Sequence, residues 1–283
     1  IHLLLLVTPQ AANKTMGQGG FQEVEQMNLF KDMVCYQEEV RDPSRMAEVL
    51  NRVIEKAIRG SAPAQINVPR DYWTQVIDIE LPPIVRLERQ GGGAEAIDKA
   101  AELLSNAKFP VILSGAGVVI GGATDETKKL AEKLDSPVCS GYQHNDSFPG
   151  SHPLAVGPLG YNGSKAAMEL ISKADVVLAL GTRLNPFSTL PGYGIDYWPK
   201  KANIIQVDIN PDRIGLTKKV TVGISGDAKL VAQQILDKLS SNAGDTDRQK
   251  RKDLIHQTKS AWLQKLSSLD HEEDDEGTVW NKE

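Results

Sequence analysis

The sequence predicts an α/β fold built on parallel sheets, and three observations carry that expectation. Short apolar runs of strand length alternate with segments whose apolar residues recur at helical spacing. The order strand, helix, strand repeats along the chain, as a parallel sheet requires. Long Gly-rich loops follow several of the apolar runs, where ligands of open α/β sheets bind. The 283 residues suit about two domains of roughly 150 residues each.

Leu3–Val7 is a run of five apolar residues that reads as a fully buried strand ending at Thr8-Pro9-Gln10. A polar, Gly-rich loop covers Ala11 to Gly20, and Phe21–Phe30 leads to a strand-like Met33–Tyr36. Asp42-Pro43-Ser44 opens a helix, with a capping Asp and Pro at the first helical position. Met46, Leu50, Val53, Ile54, Ala57 and Ile58 form its apolar stripe, and Gly60 ends it. Ala64–Val68 reads as a buried strand. Glu80–Gly93 holds two prolines and three glycines and is the linker candidate.

The second half alternates. Helices are expected at Ala94–Asn106, Thr124–Leu134, Ser164–Lys173 and Asp227–Leu239. Strands are expected at Pro110–Ser114, Pro137–Ser140, Asp175–Leu180, Asn203–Ile209 and Val220–Ile224. About five strands with helices between them predict an open, doubly wound parallel sheet. Gly141–Gly163 and Gly181–Lys200 are long loops. After Ser240 the chain is polar: Asp247–Leu269 is helix-forming with a thin stripe of Leu254, Trp262 and Leu266, and His271–Glu276 is acidic. A solvated tail or linker is the expectation there. The organisation is therefore 1–80, a linker 81–93, a domain 94–240 and a linker or helix 241–283.

Composition excludes some functions. A net charge of −5 argues against general nucleic-acid binding. No apolar run approaches the roughly 18 residues of a membrane span. Cys35 and Cys139 lack CxxC spacing and read as buried thiols in a reducing cytoplasm, with no metal site among the cysteines. Leu3–Val7 lacks the flanks of a signal peptide. A chain starting at Ile1 inside a strand is expected to be an internal fragment.

Three loops are candidates for chemistry. In Gln10–Gln26, the glycines Gly17, Gly19 and Gly20 allow close backbone approach, Phe21 offers a stacking face, and Gln22 is a neutral donor and acceptor; a structural loop with Phe21 buried is the alternative. Gly115 and Gly117 follow a strand, yet GAGVVIGG departs from G-x-G-x-x-G because Ile120 takes the third position, so a tight strand-to-helix turn competes with a nucleotide site. Gly181 and Arg183 follow the strand at Leu180, and Asp208 and Asn210 follow the next. Arg183 can grip a phosphate or sulfonate, or pair with a carboxylate; Asp208 can accept from ribose hydroxyls. His144 and His152 read as exposed loop residues, lacking a third metal ligand.

These segments carry a family resemblance. LLLVTPQ (Leu4–Gln10), GQGGFQEVEQM (Gly17–Met27) and QEEVRDPSR (Gln37–Arg45) resemble the pyrimidine-binding domain of thiamine diphosphate-dependent enzymes. Gly141–Met168 and Leu180–Pro199 resemble their central domain. The resemblance implies a partial pyrimidine-binding domain followed by a doubly wound central domain, in an acyltransferase that acts on sulfoacetaldehyde and phosphate and works as a homo-oligomer. It implies thiamine diphosphate and Mg²⁺, with FAD or ADP in the central domain left open and no required flavin favoured. Phe21 and Gln22 match a Phe-Gln pair that reaches a neighbouring subunit's active site in acetohydroxyacid synthases, and Gln10 matches a motif position; these three are the catalytic candidates. Gly115, Gly117, Gly181, Arg183, Asp208 and Asn210 are the cofactor-binding candidates. The family's activating Glu and its Gly-Asp-Gly…Asn motif are expected outside this chain, since Gly226-Asp227-Ala228 and Gly244-Asp245-Thr246 lack the third Gly. This piece alone is therefore expected to be inactive. A flavin-using carboligase and a non-catalytic nucleotide-binding module are the competing readings.

Overall fold

The computed structural model describes residues 4–21, 23–83 and 88–269. They fall into two compact units, Ile1–Leu87 and Glu88–Glu283.

Among its described residues the first unit has three strands, β1 (Leu5–Gln10), β2 (Tyr36–Glu39) and β3 (Ala64–Pro69), and two α-helices, α1 (Gln26–Phe30) and α2 (Met46–Gly60). The strands pair in parallel in the order β1-β3-β2. Asp42 starts the helical stretch: its carboxylate accepts from the Ser44 amide at 2.9 Å, and a 3-10 turn over Pro43–Arg45 runs into α2. Val49, Val53 and Ala57 lie on one stripe of α2 and are buried against Ala64, Ile66 and Val68 of β3. Ser61, in the left-handed conformation at φ 46°, closes the helix one residue beyond Gly60.

The expected buried strand at Leu3–Val7 is corrected. Leu3 lies outside the described residues; Leu4, Leu5 and Val7 are exposed. Among the described residues β1 pairs with β3 alone, and its apolar side chains away from that contact are exposed. The expected strand at Met33–Tyr36 instead starts at Tyr36: its core is Gln37-Glu38-Glu39, whose polarity hid it.

The second unit holds α3 (Ala94–Ser105), β4 (Pro110–Ser114), α4 (Ala116–Gly121), α5 (Thr124–Leu134), β5 (Val138–Ser140), β6 (Ala155–Pro158), α6 (Lys165–Ile171), β7 (Val176–Leu180), β8 (Asn203–Asp208), β9 (Val222–Ser225), α7 (Ala228–Lys238) and α8 (Arg248–Leu269). Its sheet is parallel throughout, in the order β6-β5-β4-β7-β8-β9. The central strands are buried along their length because helices cover both faces: α3, α4 and α5 pack on α7, while α6 packs on β5, β6 and α8. The doubly wound reading holds, with six strands rather than five. β6 escaped notice because its sequence, Ala-Val-Gly-Pro, carries two strand breakers. α4 was hidden by two glycines in Ala-Gly-Val-Val-Ile-Gly.

Arg248–Leu269 is not solvated chain. α8 docks on the domain through Arg251, which is 1% exposed and donates to five main-chain carbonyls: Lys108 at 2.7 Å, Thr246 at 2.8 Å, Leu134 at 2.9 Å, Asp135 at 3.0 Å, and Gly244. Ile255 is buried beside it, and Trp262 stacks edge-on against Tyr193, centroids 5.6 Å apart. One buried cation in an otherwise polar helix escapes a search for apolar stripes. The acidic run His271–Glu276 lies outside the described residues.

The thiols also divide. Cys139 is buried, but Cys35 is exposed because its segment precedes β2 rather than lying within a strand. His144 and His152 are only partly exposed: His152 Nε2 lies 3.2 Å from Glu132 Oε1, and its Nδ1 accepts from the Leu154 amide at 3.2 Å.

Candidate functional site

In the second unit the chain starts at β4, moves outward through β5 and β6, then crosses back to β7 beside β4 and continues outward through β8 and β9. β4 and β7 are thus adjacent while their outgoing connections diverge, which defines the crevice where open α/β sheets bind ligands. Gly115 and Gly117 leave β4 at that point, and Gly181 and Arg183 leave β7. The glycines meet each other. Gly117 N donates to Gly181 O at 2.8 Å, and Gly115 N to Leu180 O at 3.0 Å. A Cβ on Gly117 would sit 2.6 Å from Gly181 Cα, and Gly181 itself is at φ +62°. Their use here is close backbone packing, the tight-turn alternative.

Arg183 is exposed and, among the described residues, forms no ion pair. It lies near enough to Asp208 to favour its charged form, but burial dominates and raises the Asp208 carboxyl above its ordinary range. Asp208 also accepts from the Asn210 amide at 2.9 Å, and the Asn210 side chain is spent capping Pro211–Arg213 through the Asp212 amide, also at 2.9 Å. Asp227 likewise caps α7, accepting from the Lys229 and Leu230 amides, so Gly226-Asp227-Ala228 serves the fold.

Sequence reading missed an aromatic cluster on this edge. Tyr142 follows β5, Tyr161 follows β6 and Phe187 follows β7. Their centroids are 5.1 Å (Tyr142–Phe187), 5.8 Å (Tyr161–Phe187) and 6.4 Å (Tyr142–Tyr161) apart. Tyr161 and Phe187 are exposed. Three aromatics spread over 46 positions (187 − 142 + 1) give no local pattern; only the parallel order of β5, β6 and β7 brings them together.

In the first unit the loop after β1 is polar and braced. The Gln10 amide accepts from Ala11 N at 2.8 Å and donates to Val24 O at 3.2 Å. Glu23 accepts from the Gly17 amide at 2.5 Å and the Gly20 amide at 3.0 Å. Phe21, at its tip, is 81% exposed rather than buried as a staple. Gln22 lies outside the described residues.

Beside this loop is a cleft of about 610 Å³ lined by Gln10, Met16, Gln37, Glu39, Arg41 and Arg45, among others. Behind it, side chains on β1, β2 and β3 form a hydrogen-bond chain that runs one way. Gln37 donates to Gln65 at 2.7 Å, Gln65 to Thr8 at 2.9 Å, Thr8 to Asn67 at 3.0 Å, and Asn67 to Glu39 Oε2 at 3.0 Å. Strand register sets this up: Gln37 lies opposite Gln65, and both Thr8 and Glu39 lie opposite Asn67. Gln65 and Asn67 are fully buried, so each polar group needs its partner.

Among the described residues no group of three or more His, Cys, Asp or Glu is placed to hold a metal ion, and no helix is long and apolar enough to cross a membrane.

Comparison with known proteins gives the class. Residues 97–235 match the family model of the thiamine pyrophosphate enzyme central domain. The chain is 79% identical to a probable sulfoacetaldehyde acetyltransferase of Rhizobium meliloti over 98% of its own length and 47% of the relative's. It is 78% identical to a sulfoacetaldehyde acetyltransferase of Roseovarius nubinhibens over 99% of its length and 46% of the relative's. A probable acetolactate synthase large subunit of Methanocaldococcus jannaschii is 33% identical over 94% of the chain and 44% of the relative. The solved benzoylformate decarboxylase of Polynucleobacter necessarius shares the fold, at TM-score 0.73 and 22% identity, over 86% of this chain and 46% of that one. The chain belongs to the thiamine pyrophosphate enzymes. It spans about half the length of the curated relatives it matches.

Proposed function

We propose that the chain is part of a thiamine diphosphate-dependent acyltransferase that converts sulfoacetaldehyde and phosphate into acetyl phosphate and sulfite. One observation carries the reading: identity is 79% and 78% to relatives named for that activity, against 33% to one named acetolactate synthase. Bound thiamine diphosphate would supply carbanion chemistry for the aldehyde, with its diphosphate and Mg²⁺ held by residues other than these. The first unit is read as part of the pyrimidine-binding domain, with 94–240 as the central domain.

In this reading Phe21 and Gln22 meet the substrate, as part of a homo-oligomer in the cytoplasm. An exposed aromatic tip on a braced loop suits a side chain that works against another surface. The Gln10 amide holds that loop to Val24. Arg183 and Asp208 flank the edge where FAD or ADP would lie, with Gly115, Gly117 and Gly181 closing the floor and Asn210 shaping the rim. No required flavin is assigned.

The test is the full-length protein with thiamine diphosphate, Mg²⁺, sulfoacetaldehyde and phosphate. Sulfite and acetyl phosphate should appear in equal amounts, with no flavin absorbance from the protein. Acetolactate formed from pyruvate, with no sulfite released from sulfoacetaldehyde, would overturn it.

A further inference from the structure

The cleft beside Gln10 presents an oriented carboxylate and a cation that the fold does not consume. Glu39 ends the hydrogen-bond chain on Oε2, from Asn67, and among the described residues no donor meets Oε1. The chain runs one way, so each link polarises the next towards that carboxylate. An ionised carboxylate only accepts hydrogen bonds, so whatever meets Oε1 must donate.

Two other charged groups nearby, Arg45 and Glu38, are committed. Arg45 is held by both Glu48 oxygens, at 2.7 and 2.9 Å. Glu38 is held by Arg52 at 2.8 Å twice, and by the Tyr36 hydroxyl at 2.7 Å. Arg41 lines the same cleft, is exposed, and forms no ion pair among the described residues. Glu25 also lines the cleft.

A guanidinium and an accept-only carboxylate lining one cleft select one ligand chemistry: an oxyanion that keeps an O–H. The guanidinium grips two oxygens. The carboxylate accepts from the hydroxyl, and it repels an oxyanion that has none. Inorganic phosphate near neutral pH keeps an O–H; sulfate has lost both. We propose that Glu39 and Arg41 form the subsite for inorganic phosphate, with Thr8 and Asn67 positioning the carboxylate. This rests on the reading of phosphate as acyl acceptor. It adds a reason for the carboxylate: a site that takes phosphate beside a substrate whose sulfonate has no O–H must tell the two groups apart.

The experiment uses full-length protein and its Glu39→Gln, Arg41→Gln and Thr8→Val variants, with inorganic phosphate and sulfate each titrated calorimetrically. Wild type should prefer phosphate. Glu39→Gln keeps an acceptor for Asn67, so it should fold, and its amide can donate to sulfate; the sulfate-to-phosphate Kd ratio should fall at least about tenfold. Arg41→Gln should weaken phosphate by at least about tenfold. Thr8→Val should lower the ratio in wild type and leave it unchanged in Glu39→Gln, an outcome that a general loss of stability does not produce. An unchanged ratio in Glu39→Gln overturns the proposal, as does wild type that binds both ions equally or neither. Phosphate preference that depends on Glu39, in a protein making no acetyl phosphate, would sink the acyltransferase reading and leave the subsite standing.

Discussion

Replacing Arg251 by Met keeps the length of the side chain but removes every donor. Five carbonyls then lose a charged partner: Leu134 and Asp135 at the end of α5, Lys108 before β4, and Gly244 and Thr246 before α8. A hydrogen bond to a charged group contributes roughly 1.5–3 kcal/mol, and a buried orphan group costs roughly 1–3 kcal/mol. The full sum is not reached, because carbonyls tolerate loss better than amides and water enters the gap. Removing the guanidinium also removes its own desolvation cost, which is large enough to push its pKa down from the ordinary arginine value. The net expectation is about 3–5 kcal/mol. For a unit of this size that lowers Tm by roughly 6–20 °C. Arg251→Lys restores the charge but not the fork, and should recover less than half of the loss. Urea unfolding followed by circular dichroism measures both. A loss below about 1 kcal/mol for the Met variant would mean that the five contacts do not hold α8, and the account of that helix would be wrong.

Other outcomes follow from the same contacts. Gly117→Ala places a methyl 2.6 Å from Gly181 Cα and should cost about 1–3 kcal/mol by forced separation, read by urea titration. Phe21→Ala removes an exposed ring, so stability should stay within about 0.5 kcal/mol while turnover of sulfoacetaldehyde by the full-length protein falls at least tenfold; unchanged turnover would remove Phe21 from the site. Arg45 and, after it, Arg52 hold the Glu48 carboxyl at about 2, against its ordinary 4.5, and Arg52 lowers Glu38 as well. A depressed folded-state value stabilises above the unfolded value, so the stability difference between wild type and Arg52→Met should be full above about pH 4.5 and fade towards about pH 2. Burial pushes the Cys139 thiol far above its usual range, whereas Cys35 is exposed. One thiol should react with a maleimide in native protein and two in denaturant.

Much of the central domain was legible because its strands are covered on both faces and read as apolar runs: Pro110–Ser114, Asp175–Leu180 and Asn203–Ile209 sit within a residue or two of β4, β7 and β8. Where burial and polarity disagree the reading failed. β2 is polar because Gln37 and Glu39 belong to a side-chain chain that no periodicity reveals, and Leu4, Leu5 and Val7 are apolar yet exposed. The candidate site was legible as loops, since glycines and strand ends mark them. It was not legible as contacts: the partner of Gly117 is Gly181, 64 residues later (181 − 117), and Asn210 looked free until its cap was seen. Glu39 and Arg41 lie in QEEVRDPSR, which carried a family resemblance but no chemical pattern.

The seam where Gly117 meets Gly181 has a consequence for how this fold diversifies. Main chain touches main chain there, so the floor of the crevice offers no side chain to vary. Any molecule lying above it is read by the three surrounding loops, which begin at Gly141, Leu159 and Gly181 and differ in length and composition. Selection can therefore rewrite the rim while the joint that holds the two halves of the sheet together stays as it is.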